Sequence, residues 1–554
     1  MFIKNLLNGF SRDECHTLQT IKTIFVYTYV RLSLLFVIAV FLKEMHLLPE
    51  YFLNYILFGY LLPVFALPLI INIKKADKSK KRIEPLYVYI SISIIFIFTL
   101  AIRFLPYLNN SIPLGYDPGY YKYMIDVYIN VLPDIPESSL PIWIKGMNEQ
   151  GSFVLFDALH IFSRMSSIEG LNYFFPLLST FIMFPIFILT RMIFEEKVAI
   201  LACALYAVSY TQLTAFTFLY LKNIFGLFFL LLALYSLEKK KYTLIALMAA
   251  ALGIYHRPEF LIFSLILACY LLKDRDKNLI YSILLMSVLI APFWIPRIEM
   301  YFSMISSVSD FALQSIQGDV GKGGTFFNFE KYEWISLSYL PFGIIGALYL
   351  FTKKKWNSLL LYFTINGIIV IFKLFFFNRL IIDLDIVLLI LASAGILYTF
   401  LISQRIPQIA RTGFIFLLLL SGGAITLQKA LKAEPLMNEK QLRAIEWISE
   451  NTETNAFVLT TSFDAPWALA WSNRRVLAPG LFEWNIHGEE EWLGFLATNN
   501  SSAAEKFLDQ YNGKIYIYYS LNNFNWMNLE KFNSTSFIKK IMEEAVIYRY
   551  DRIK

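Results

Sequence analysis

Charge is scarce in this sequence. Asp, Glu, Lys and Arg make up 16% of 554 residues, against about a quarter in soluble domains, and they gather in short clusters between apolar runs. That scarcity excludes a soluble globular chain. The formal net charge of +7 belongs to loops between those runs, so it does not describe a nucleic-acid surface, and no nucleic-acid partner is expected. Cysteine is almost missing: Cys15, Cys203 and Cys269 are the only three, and none lies in the C-terminal part, which excludes a disulfide framework there. No cleavable leader is evident, because the first apolar run begins near Ile24 and is long enough to remain as a span. Internal repeats and low-complexity tracts are also lacking, which weighs against a transporter assembled from repeats.

What is abundant is apolar surface, with 57% hydrophobic and 17% aromatic residues. Lipid must be part of the solvent. Runs long enough to cross a hydrocarbon core read as Ile24 to Leu42, Phe52 to Ile73, Leu86 to Leu105, Leu171 to Phe194, Val198 to Phe216 and Asn223 to Leu237. The series continues at Tyr242 to Tyr255, Phe260 to Leu272, Leu279 to Ile295, Leu337 to Phe351, Leu359 to Phe376, Leu380 to Leu401 and Gly413 to Leu427. Basic clusters at Lys74 to Arg82, Lys239 to Lys241, Lys273 to Lys277, Lys353 to Lys355, and Arg405 with Arg411 all fall on one side if the N-terminus is cytoplasmic. The agreement requires that Phe153 to Met165 does not cross, so that stretch reads as a helix lying in the outer leaflet.

The expected fold is a polytopic α-helical membrane protein of about thirteen transmembrane helices with a small C-terminal extracytoplasmic α/β domain. Residues 1–85 carry two additional spans, 86–429 form the transmembrane core with an outer loop at 106–170, and 430–554 form the outer domain. In that domain Glu439 to Glu450 has helical periodicity, while Phe457 to Thr460, Lys514 to Tyr519 and Ala545 to Tyr550 are β-rich. Its tryptophans, Trp467, Trp471, Trp484 and Trp492, read first as core packing.

The stretch richest in chemistry is Leu114-Gly115-Tyr116-Asp117-Pro118-Gly119-Tyr120-Tyr121-Lys122-Tyr123, just after the third span on the outer side. A carboxylate there can take the proton of an acceptor hydroxyl. Asp followed by Pro is equally the pattern of a helix N-cap and first turn, and the two roles are compatible. Arg103 closing a span, this Gly-Tyr-Asp-Pro-Gly-Tyr-Tyr loop, a membrane-surface helix, roughly ten further spans and an outer α/β domain together resemble the GT-C superfamily of polyprenyl-phosphate-dependent glycosyltransferases, which includes protein mannosyltransferases and oligosaccharyltransferases. In that family the acidic residue of the first outer loop is the catalytic base or a metal ligand, and Asp117 is the matching position. The first two spans look like an addition to the family core. The resemblance implies transfer of a sugar from a polyprenyl-phosphate donor to a glycan, lipid or protein hydroxyl at the outer face of the plasma membrane, as in building a cell-envelope glycan.

One departure is plain. Oligosaccharyltransferases carry further acidic residues in the second outer loop, whereas Tyr210 to Asn223 has Lys222 and no carboxylate. A monosaccharide transferase therefore fits better than a metal-dependent oligosaccharyltransferase, and a divalent metal stays an open question. Lys222 reads as a contact to donor phosphate or as a lysine snorkelling to the interface. His256-Arg257-Pro258-Glu259 places a base, a cation and a carboxylate in one outer turn, as an ion-paired hairpin or as a donor site in which Arg257 meets phosphate. Two ligands, His256 and Glu259, do not make a metal site. Asn378-Arg379 opens a late span, and the family often has an arginine there that is thought to hold the lipid phosphate. The guanidinium suits that bidentate contact, and the plain alternative is an interfacial anchor or a partner of Asp383 one turn below. Asp383 and Asp385 lie deeper and should face the protein interior. Asp157, His160 and Arg164 share one face of the surface helix, a solvating stripe with Asp157 and His160 as secondary site candidates. The outer loop 296–334, with glycines at 318, 321, 323 and 324, reads as a mobile connector or a cover for bound donor. Rival readings are a glycan ligase or polymerase drawing on a lipid pyrophosphate, a lipid or solute transporter, and a silent scaffold.

Overall fold

The computed structural model describes residues 84–108, 110–131, 150–295, 327, 329–353, 356–374, 377–402, 407–479, 485–521 and 527–551, with isolated positions at 31–42 and 298. The first two expected spans and nearly all of loop 296–334 lie outside the described residues. In chain order the membrane part consists of α1 (Pro85–Phe104), α2 (Pro118–Val131), α3 (Gln150–Ser163), α4 (Ser167–Ile193), α5 (Glu196–Ala207), α6 (Tyr210–Thr217), α7 (Leu221–Glu238) and α8 (Tyr242–Tyr255). It continues with α9 (Arg257–Asp274), α10 (Lys277–Trp294), α11 (Phe329–Ser336), α12 (Leu340–Thr352), α13 (Ser358–Ile371), α14 (Phe377–Ile402) and α15 (Gln408–Leu431).

Among the described residues, six helices are long and apolar enough to cross a membrane, namely α1, α4, α7, α10, α14 and α15, or seven if α5 and α6 form one span. Helices α3, α8, α12 and α13 are apolar but shorter. The run Val198 to Phe216, read above as one span, is broken by a 50° bend between α5 and α6. At the bend Ser209 accepts from the Gln212 amide and gives its own hydroxyl to Asp385 Oδ2 at 2.8 Å. Gln212 also donates to Asp385 Oδ2 at 2.9 Å, so the break turns polar groups toward a carboxylate buried in the bundle.

Helix α14 is the bundle's axis, with 94% of its apolar window buried, whereas α1 and α10, at 22% each, leave most of their surface for lipid. A Cβ built on Gly346 would lie 2.0 Å from the Leu391 carbonyl oxygen, and one on Gly395 would lie 1.9 Å from that of Phe342. Backbone-to-backbone contact of this kind lets α12 pack onto α14 without a hydrophobic driving force. Asp383 and Asp385 face inward on α14 as expected, both fully buried, with Tyr362 donating to Asp383 and Tyr339 to Asp385. Arg103 at the end of α1 is buried too, donating to Ser179 Oγ at 2.6 Å and lying over the rings of Tyr206 and Phe216.

The C-terminal part comprises α16 (Glu439–Asn451), β1 (Phe457–Leu459), α17 (Ala465–Ser472), β2 (Arg475–Leu477), α18 (Glu489–Ala497), α19 (Ser501–Leu508), β3 (Ile515–Ser520), β4 (Phe537–Ile541) and β5 (Ala545–Tyr550). The five strands form one sheet of order β2-β1-β3-β5-β4, parallel across β2-β1-β3 and antiparallel across β3-β5-β4. The α/β expectation holds, and the helix and three of the strands lie where the sequence put them. Strands β2 and β4 were not legible: β2 is three residues long, and β4 is an edge strand, Phe-Ile-Lys-Lys-Ile, exposed after its first residue. Lysine on an edge strand protects it from pairing with another chain, and this disrupts the alternation that marks a strand. Trp467 and Trp492 pack the core as expected, fully buried.

Candidate functional site

Asp117 precedes Pro118, the first residue of α2, and its carbonyl accepts the Tyr121 amide at 3.0 Å. The backbone thus follows the N-cap pattern, with proline where a helix has no use for an N–H. The side chain does not: among the described residues no hydrogen bond reaches the carboxylate, which is left half-buried beside the helix's positive end.

Two glycines fix this turn from opposite sides. Gly115 has φ +96°, in the left-handed region, and a Cβ there would lie 2.6 Å from the Phe218 carbonyl oxygen. Gly119 admits no side chain because its Cβ position is 2.2 Å from the carbonyl oxygen of Pro466, at the start of α17. Between them Tyr116 donates to the Ser462 carbonyl at 2.9 Å and meets the Phe463 ring edge-on at 4.9 Å. The Gly-Tyr-Asp-Pro-Gly sequence is thereby clamped between the turn joining α6 to α7 and the C-terminal domain. That turn is itself strained, with Leu219 at φ 57°.

Two cations converge on Asp117. Burial holds its carboxyl above the usual carboxylate range, and the charges of Arg379 and then Lys222 pull it back. Arg379, in the first turn of α14, lies with its guanidinium 5.7 Å from the centre of the Tyr220 ring. Lys222, in the first turn of α7, lies 5.3 Å from the centre of the Tyr120 ring. Its charge bears on the Asp117 carboxyl. Asp117, Lys222 and Arg379 each stand at or within the first turn of a helix N-terminus, where the backbone favours negative charge. Burial also raises the Tyr121 hydroxyl, which senses the same three charges.

The remaining candidates fall beside this cluster or apart from it. His256 and Glu259 form a buried ion pair at the start of α9. Asn223 donates to Glu259 at 3.4 Å, and Gly226 leaves the space that His256 and Glu259 fill against α7. The pair therefore stands beside Lys222 and fixes α9 on α7. Arg257 is not among the charges that bear on Asp117. Asp157 does not form part of a solvated stripe, which corrects the expectation for α3. It is 5% exposed, its Oδ1 has no hydrogen-bond partner among the described residues, and burial pushes its pKa up to about 7, with His160 opposing. His160 turns to the Met165 carbonyl at 3.0 Å, inside the loop that ends α3. The α3 helix packs on α2 and α8, which is why its carboxylate lands in the protein.

Among the described residues no three His, Cys, Asp or Glu side chains gather as metal ligands. Among the described residues the charges that bear on the Asp117 carboxyl are those of Arg379 and Lys222, and two cations suit an anionic group. Sequence reasoning missed the aromatic side chains around the cluster, Tyr120, Tyr121 and Tyr220. Only the tyrosine doublet after Asp117 signalled them.

No family model matches this chain, and no curated protein matches it. Solved structures do. It resembles the archaeal oligosaccharyltransferase AglB from Archaeoglobus fulgidus, in complex with an inhibitory peptide and a dolichol-phosphate, with a TM-score of 0.59 over 78% of this chain and 69% of that one at 14% identity. It resembles apo ArnT from Cupriavidus metallidurans with a TM-score of 0.52 over 84% of this chain and 97% of that one at 11% identity. The fold is the GT-C fold. The same ArnT bound to undecaprenyl phosphate superposes with a TM-score of 0.50 at 11% identity, covering 84% of this chain and 98% of that one.

Proposed function

We propose that the chain is a GT-C membrane glycosyltransferase that moves a sugar from a polyprenyl-phosphate donor to an acceptor hydroxyl at the outer face of the plasma membrane. One observation carries this reading: Asp117 shares its surroundings with the cations Arg379 and Lys222. The cations hold the donor phosphate, and their charge stabilises the negative charge that grows as the sugar leaves. Asp117, with no side-chain hydrogen bond among the described residues, accepts the proton of the acceptor hydroxyl as that oxygen attacks the anomeric carbon. A single displacement of this kind inverts the anomeric configuration. His256 and Glu259, packed on α7 next to Asn223, support the Lys222 side of the site. Neighbours of the same fold bind dolichol-phosphate and undecaprenyl phosphate, which supports a polyprenyl phosphate as donor carrier.

The test is incubation of purified protein with a panel of labelled polyprenyl-phosphate sugars, following donor loss. Asp117→Asn should abolish transfer while donor binding survives. An active Asn variant would remove Asp117 from the mechanism, and donor loss only with lipid pyrophosphates would favour the ligase or polymerase reading.

A further inference from the structure

The face of α2 turned away from Asp117 forms one wall of a cleft of about 430 Å³, and α17 with the residue that ends it forms the other. Lys122, Tyr123, Asp126 and Asn130 come from α2, Trp471 and Asn473 from the C-terminal domain. The site described above does not use any of them. Counting 100° per residue, Asp126 stands half a turn around the helix from Asp117, and Lys122 to Asn130 extends about 7 to 20 Å along the axis from it. The reacting hydroxyl therefore cannot sit in this cleft.

The lining has a definite chemistry. Lys122 and Asp126 are paired at 2.7 Å, so their charges cancel. Lys122 also donates to the Ala470 carbonyl at 3.3 Å and lies 5.2 Å from the centre of the Trp471 ring, which is stacked on Trp467 with ring centres 5.1 Å apart. These contacts fix the indole in place. A phosphate would find its cation already neutralised, and a metal ion would find a single carboxylate already paired. Asn130 and Asn473 each offer a donor and an acceptor, and Tyr123 and Trp471 supply aromatic surface. Rigid aromatic walls with amides and no net charge suit a neutral ligand dense in hydroxyls.

We propose that this cleft binds a neutral carbohydrate unit of an extended acceptor, remote from the hydroxyl that reacts at Asp117. The assignment names the acceptor class and so rests on the transferase reading. Its site is independent of the donor cluster. One helix carries both, so an acceptor held in the cleft is held against the same rigid element that presents Asp117.

The experiment uses the full-length protein in lipid nanodiscs, titrated with neutral hexose and N-acetylhexosamine oligosaccharides from di- to hexasaccharide. Saturable binding should be read by tryptophan fluorescence and by saturation-transfer NMR. Asn130→Ala, at an exposed end of α2, should weaken it about tenfold, equivalent to about 1.4 kcal/mol, and Trp471→Leu at least as much. Asp117→Asn should leave it unchanged. In turnover, Asn130→Ala should raise KM for long acceptors more than for short ones. Absence of saccharide binding by wild-type protein overturns the proposal, as does binding indifferent to both cleft substitutions. Donor turnover without saccharide binding defeats this assignment alone. Saccharide binding without turnover of any donor defeats the transferase reading and leaves the cleft standing as a carbohydrate site.

Discussion

Asp117 is held above the ordinary carboxylate range by burial and drawn down by two cations, and this opposition has a kinetic signature. A base must be ionised to accept a proton, so the acid limb of the activity profile should lie above the usual carboxylate range. Arg379→Met removes the larger of the two opposing charges, so the limb should move to still higher pH, and Lys222→Met should move it the same way by less. A pH profile of kcat/KM for sugar transfer decides, and a limb that stays put or moves down in Arg379→Met separates that cation from Asp117.

Asp157 tests burial that a single neighbouring histidine opposes. Its folded-state pKa of about 7 exceeds the unfolded value, so the native chain holds the proton more tightly. The stability this contributes is complete below about pH 4 and is lost as pH rises toward 7. Asp157→Asn should therefore raise the thermal midpoint at pH 8 and leave it unchanged at pH 4. An equal gain at both pH values would point to packing instead of charge.

At the scale of elements, the Asp117 turn depends on α2 docking against α17. Gly119 meets the Pro466 carbonyl with no space for a methyl group, so Gly119→Ala forces the two elements apart. Misplacing a reacting group by about 1 Å costs roughly a hundredfold in rate, and kcat should fall by that order while donor binding changes little. If the Ala variant transfers sugar at the wild-type rate, the clamp does not position Asp117. Gly119 was quoted in the sequence only as part of a family-like motif. Its neighbour across the interface lies nearly 350 residues away, and no local pattern announces such a contact.

The break between α5 and α6 was hidden for a related reason. Hydropathy sees Val198 to Phe216 as a continuous apolar run, because Ser209 and Gln212 are two polar residues in many apolar ones. Their partner, Asp385, is supplied by another helix. The helix at Glu439 was legible because its period and its capping residues, Asn438 and Gln441, are local.

In the whole molecule one hydrophobic cluster runs from the bundle into the C-terminal domain, and a second packs the domain by itself. Trp467, Tyr518 and Ile547 of the domain belong to the same buried cluster as Leu114 and Ile125 near the site. Trp467→Ala should cost about 3 to 5 kcal/mol, and its effect should cross the domain boundary. Hydrogen exchange should quicken in α2 as well as in the sheet. Loss of protection confined to the sheet would show that the two parts are stabilised separately.

Composition and apolar runs determined by themselves that the chain lives in a membrane, local periodicity that its C-terminal part is α/β, and a family-like motif drew attention to Asp117 and Arg379. Burial from water and helical periodicity act within a few residues of chain, and a sequence records them directly. Only the tertiary structure decided that the charges of Arg379 and Lys222 bear on Asp117, that Asp157 is buried and that the Asp117 turn is clamped between two glycines. Each of those outcomes is an energy between residues distant in sequence, and such an energy has no value until packing brings the partners within reach.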